Sequence, residues 1–107
     1  MRRDEKVVTI LWHANPFRGD KFEEAWRPAA EAALDYGASF WAFFRSTDDP
    51  NDFTQIAIFP DKRQWERYWY SEQISEARAE CSGLFEVPVT PIWHRVVATG
   101  EVTPAET

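Results

Sequence analysis

Two segments of this chain are apolar on both of their alternating faces, and that limits what it can fold into. Lys6–His13 puts Val8, Ile10 and Trp12 on one side and Val7, Thr9 and Leu11 on the other. Residues 38–45 put Phe40, Ala42 and Phe44 on one side, Trp41 and Phe43 on the other, and end in Arg45. Side chains of a strand alternate between its faces. A strand that is apolar on both sides must be covered on both sides.

The rest of the chain supplies only part of that cover. Asn15-Pro16 breaks the first strand. Asp20-Lys21-Phe22-Glu23 has capping-box spacing and opens a helix over 20–36. Phe22, Trp26, Ala29, Ala30 and Ala33 recur at helical spacing, Pro28 should kink the helix, and Gly37 stops it. The turn formers from Ser46 to Asp52 close a hairpin onto a third strand, Phe53 to Phe59. Asp61-Lys62-Arg63-Gln64 repeats the capping-box spacing and starts a second helical region over 61–82. Trp65, Tyr68 and Trp69 share one face of it. Ser71 caps a second piece carrying Ile74, Ala77 and Cys81, and Gly83 ends it. Pro88 and Pro91 lead into a last strand over 90–98, which the prolines place at a sheet edge.

The order is β-α-β-β-α-β, an α+β, ferredoxin-like arrangement of two helices on a four-stranded antiparallel sheet. Residues 1–98 form the domain and 99–107 a loose polar tail. Two helices cover one sheet face only. Leaving the other wet would forfeit about 25 cal/mol per Å² of apolar surface, so a second copy of the chain is expected there as a homodimer.

Composition narrows the function classes. Six Trp, eight Phe and three Tyr are more rings than 107 residues readily hide, so some should face a cavity or a partner. The net charge of −6 argues against nucleic acid, whose phosphates need clustered Lys and Arg. The first apolar run, Val7 to Trp12, is too short for a signal-peptide core or a membrane span. Cys81 is the lone cysteine, which suits a cytoplasmic location. No glycine-rich phosphate loop, nucleophile elbow or zinc spacing is present, so no cofactor or metal is expected.

Three stretches carry a resemblance. They are Phe22-Glu23-Glu24-Ala25-Trp26-Arg27-Pro28, then the strand 40–45 running into the acidic turn Ser46-Thr47-Asp48-Asp49-Pro50, then Ile58 through Ser71 with Trp65, Tyr68 and Trp69. In order and spacing they resemble the dimeric α+β barrel superfamily, near the antibiotic-biosynthesis monooxygenase-like domains. The resemblance implies a dimeric α+β barrel with a pocket in each subunit between sheet and helices. Some relatives oxidise phenolic or quinol-like substrates without metal or flavin; others bind and degrade haem. Trp69 matches the helix-two Trp of the haem-degrading branch, but its His falls in Glu76-Ala77-Arg78 and its strand-one Asn at Leu11 and Trp12. Haem degradation is therefore not expected.

On this reading Trp12, Trp26, Tyr68 and Trp69 wall a substrate pocket for a small apolar or aromatic ligand. The plainer reading of aromatics at helical spacing, Tyr68 and Trp69 among them, is core, and it is the favoured one. His13 and His94, on strands that neighbour each other in such a sheet, are the candidate general bases for deprotonating an acidic phenol. Arg78 is the candidate oxyanion partner, against the plainer reading of Arg45, Arg78 and Arg95 as ion pairs with Glu and Asp. Cys81 reads as a small buried hydrophobe and Glu66, Glu72, Glu76 and Glu80 as a solvated face. The function expected is a cofactor-independent monooxygenase or small-molecule binder. A non-catalytic dimeric ligand-binding, stress or assembly module is the alternative, and haem binding a weaker one. A pocket filled by the chain's own rings would favour the module.

Overall fold

The strand Lys6–His13 (β1) sits inside the sheet, hydrogen-bonded antiparallel to Asp52–Phe59 (β3) on one side and Ile92–Arg95 (β4) on the other. Phe40–Arg45 (β2) pairs with the far side of β3, giving the order β2-β3-β1-β4. The computed structural model describes residues 4–103. Among them no helix is long and apolar enough to cross a membrane. β4 lies at an edge, as Pro88 and Pro91 require, but it is shorter than the expected 90–98. Pro91 has no N–H for the ladder, so pairing starts only at Ile92, opposite Thr9.

The first helix, Gly19–Glu31 (α1), tightens into a 3-10 turn over Ala32–Tyr36 and stops at Gly37, whose φ of 98° favours glycine. Pro28 lies inside α1. The capping box expected at Asp20 is not used. α1 starts one residue earlier, Arg18 at its N-cap makes no side-chain cap bond, and Asp20 instead binds Arg45 at 2.8 Å. A charge-assisted bond to a guanidinium outcompetes a neutral backbone N–H.

The second helical region is two helices, Lys62–Trp69 (α2) and Glu72–Glu80 (α3). Both caps read from the sequence are made: Asp61 accepts from the Gln64 N–H at 2.9 Å and Ser71 from the Ile74 N–H at 3.2 Å. Asp61→Ala should cost about 1 kcal/mol, which a urea titration resolves as a shifted midpoint with unchanged slope.

All helices lie on one side. Val8, Ile10 and Trp12 of β1 and Phe53, Gln55, Ala57 and Phe59 of β3 are buried beneath them. The opposite face carries Leu11, Phe40, Phe44 and Ile92, exposed at 52, 48, 53 and 42 % in the single chain. Ile58 shares that face and is nonetheless buried; Thr99, Gly100 and Glu101 flank it and Phe40. The outer surface foreseen from the two-sided strands is therefore present, with one corner met by the chain's own C-terminal segment.

Candidate functional site

Rings fill the space between sheet and helices. Trp12, Trp26 and Tyr68 are fully buried and Trp69 nearly so. Trp12 lies 4.8 Å from Trp26 and 6.3 Å from Trp69 between ring centroids, and Phe22 and Phe85 close round it at 5.3 and 5.0 Å. The residues named for a substrate pocket are brought together, but against one another. The space they were expected to wall is taken by their own side chains, because helix α1 presents Phe22 and Trp26 and helix α2 presents Tyr68 and Trp69 to the same strand positions.

One polar residue, which the sequence reading passed over, organises this cluster. The Gln55 amide oxygen accepts from the indole N–H of Trp12 at 3.1 Å and of Trp26 at 2.9 Å. Its amide nitrogen donates to the Tyr68 hydroxyl at 3.1 Å, which donates in turn to the Ala29 carbonyl at 2.7 Å. No buried side-chain polar atom among the described residues lacks a partner. The signal was in the sequence: Gln55 is the lone polar residue on the inward register Phe53, Gln55, Ala57, Phe59.

Burial pushes the Tyr68 phenol well above its ordinary value, only partly opposed by the Gln55 hydrogen bond. A group whose pKa is raised on folding contributes stability in full below its unfolded value. That stability is lost as pH rises from there through the folded value. Alkaline titration should therefore ionise Tyr68 only with unfolding, with stability falling above about pH 10. Absorbance and circular dichroism followed together, with Tyr68→Phe as the reference, check this; Tyr68 ionising before any loss of structure would contradict it.

The two histidines do not meet. His94 pairs with Val7 and His13 with Asp52, so six residues of β1, about 20 Å, separate them. Both also project from the outer face, away from the helices. His94 Nε2 lies 2.8 Å from Thr9 Oγ1, and His13 Nδ1 lies 2.6 Å from Asp52 Oδ1. The expected approach of the two fails on register, since strands β1 and β4 are neighbours only over Lys6 to Thr9.

Arg78 does come to Trp69. Its guanidinium stands 4.2 Å over the Trp69 ring and donates to the Trp69 carbonyl at 2.8 Å. Among the described residues it makes no ion pair, contrary to the plainer reading, because it closes the C-terminal end of α2, where carbonyls lack partners. Burial lowers its pKa. Cys81 is buried, and burial raises its thiol pKa.

An open aromatic cleft lies elsewhere, where α1 meets the edge strand β2. It measures about 320 Å³, at the small end for ligand clefts. Glu23 and Arg27 line it from α1, Trp41, Phe43, Phe44 and Arg45 from β2, and Phe53 from β3. Phe43 stacks on Phe53 at 5.4 Å, and the Arg45 guanidinium lies 5.2 Å over the Phe53 ring. Arg45 is held by Asp20 at 2.8 Å, Glu23 at 3.2 Å and the Pro50 carbonyl at 2.7 Å. The bond to Asp20 is the main reason its pKa rises. Gly19 permits this: a Cβ there would lie 2.5 Å from Arg45 Nη2. Arg45 thus does make the ion pairs the sequence suggested for it.

Scans against protein-family models and curated proteins return no match. Solved structures do match. A protein from Nitrosomonas europaea named as a candidate antibiotic biosynthesis monooxygenase superposes with a TM-score of 0.80 at 14 % identity, over 91 % of this chain and 94 % of that one. A variant of SnoaB, a cofactor-independent oxygenase from Streptomyces nogalater, superposes with a TM-score of 0.76 at 15 % identity, over 90 % and 96 %. The chain has the fold of the antibiotic biosynthesis monooxygenase-like domains. A Pseudomonas aeruginosa protein matches similarly, with a TM-score of 0.78 at 16 % identity over 88 % and 95 %. Within this monooxygenase-like fold, the sheet-and-helix interior of this chain is the ring-filled region around Gln55.

Proposed function

We propose that this chain binds a small planar aromatic molecule in the cleft between α1 and β2, as a homodimer joined through the outer sheet faces. The observation that carries the reading is the cleft itself. It has Trp41, Phe43 and Phe53 as walls and a guanidinium fixed over one of them, whereas the interior around Trp12 is packed. Rings in a cleft of this size supply stacking area, and a few placed polar groups fix orientation. Trp41→Ala should weaken binding of a naphthalene-sized probe by about tenfold or more, the value of one aromatic pair plus the area lost. Trp69→Phe, in the packed interior, should leave it nearly unchanged. Calorimetric titration decides, and equal affinity in wild type and Trp41→Ala would reject the site.

Cofactor-independent oxygenation is the second reading, supported by the fold shared with SnoaB. Arg45 and Arg27 line the cleft where a phenolate would form, and an electron-rich anion of that kind is what reacts with oxygen unaided. Oxygen uptake with quinols and anthrones that Trp41→Ala abolishes would support it; uptake no faster than in buffer would reject it. The His13, His94 and Arg78 assignments enter the same assay as single alanine variants.

A further inference from the structure

We infer that the ligand of the α1–β2 cleft carries an anionic group, a carboxylate or its equivalent, and that Arg27 receives it. The inference rests on the aromatic-binding reading above and adds the ligand's charge class. Three charged residues line the cleft: Glu23, Arg27 and Arg45. Two are already matched. Glu23 lies four residues before Arg27 on α1, the spacing at which a Glu–Arg pair ordinarily forms along a helix. Its carboxylate instead reaches across to Arg45 Nη1 at 3.2 Å, beside the Asp20 carboxylate at 2.8 Å. Arg45 Nε is taken by the Pro50 carbonyl. The tertiary contact between β2 and α1 has thereby engaged one of the local partners of Arg27. No hydrogen bond or ion pair engages the Arg27 side chain among the described residues, although Glu24 and Glu31 stand on the same helix.

The result is a directional site. One end of the cleft is aromatic, with a guanidinium whose charge is balanced by two carboxylates. Arg27 supplies a guanidinium with its donors free. A planar fork of that kind matches a carboxylate in two parallel hydrogen bonds. A flat ring seated on Trp41 and Phe43 would point its acidic substituent toward the α1 side. The acidic residues of α1 oppose a diffuse anion, so discrimination must come from the short contact and not from long-range attraction.

Naphthoate and naphthamide form a matched pair that differs in one charge. Titrated calorimetrically into the full chain at physiological ionic strength, naphthoate should bind about tenfold more tightly or better, the value of hydrogen bonds to a charged group. Arg27→Gln should bring the two ligands to parity and leave naphthamide unaffected, while Trp41→Ala weakens both. Equal affinity of the two ligands in the wild type, with Trp41→Ala still weakening both, overturns the anion inference and leaves the aromatic site standing. A naphthoate preference that survives Arg27→Gln overturns the role of Arg27. Binding of neither ligand, or binding indifferent to Trp41→Ala, overturns the site reading together with the inference. Arg27 is exposed on α1, so its substitution should leave the fold intact, which circular dichroism checks.

Discussion

Gln55→Leu should lower the unfolding free energy by roughly 4 kcal/mol. The leucine conserves volume but removes the oxygen that accepts from both Trp12 and Trp26. Two fully buried indole N–H groups are then stranded, at about 2 kcal/mol each. Tyr68 keeps its bond to the Ala29 carbonyl and loses only the donor from Gln55. Tyr68→Phe is therefore the milder change, at about 1–2 kcal/mol for one unpaired acceptor and one unpaired donor that retain some freedom to relax. A domain of this size has about 5–15 kcal/mol in all, so Gln55→Leu takes a large fraction and lowers the melting temperature by about 20 °C. Thermal scans at one fixed protomer concentration measure it, since self-association shifts apparent stability. A loss below 1 kcal/mol would mean that the indoles find water or other partners, and that Gln55 is not the organiser of the interior.

Leu11→Glu should abolish the proposed homodimer and leave a monomer. Leu11 is half exposed in the single chain, so a carboxylate there meets water and the fold survives. In a dimer closed through the outer faces the same carboxylate is buried without a partner, twice over. An unpaired buried charge costs about 3–5 kcal/mol, and one such cost already raises the dissociation constant by roughly two to three and a half orders of magnitude. Light scattering should find wild type at twice the protomer mass and Leu11→Glu at the protomer mass, with unchanged far-ultraviolet dichroism. A wild-type monomer at micromolar concentration would leave Leu11, Phe40, Phe44 and Ile92 without cover and would defeat the dimer.

Much of the fold was legible because it is written in local periodicity. The strand alternation at Lys6–His13 gave both the buried set ending in Trp12 and the outer set ending in His13. The caps at Asp61 and Ser71 were readable because their partners lie three residues on. Asp20 has the same local pattern and fails, because Arg45, 25 residues away, competes for it. His13 could have been assigned to the outer face by parity with Leu11. The position of His94 depends on the β1–β4 register, which no local pattern sets. A pocket in the interior was expected from the family resemblance; whether facing rings leave a gap depends on how four elements interdigitate. Arg27 was legible only as another charged helix residue, since its loss of Glu23 depends on where β2 places Arg45.

The indole N–H signals report most directly where a ligand goes. Each of the six tryptophans gives one such signal in a nitrogen–proton correlation spectrum, assignable by single Trp→Phe substitutions. On titration with naphthoate the Trp41 signal should move, while those of Trp12 and Trp26, hydrogen-bonded to Gln55, should stay fixed. Movement of the Trp12 and Trp26 signals with Trp41 unmoved would place the ligand in the interior and contradict the account.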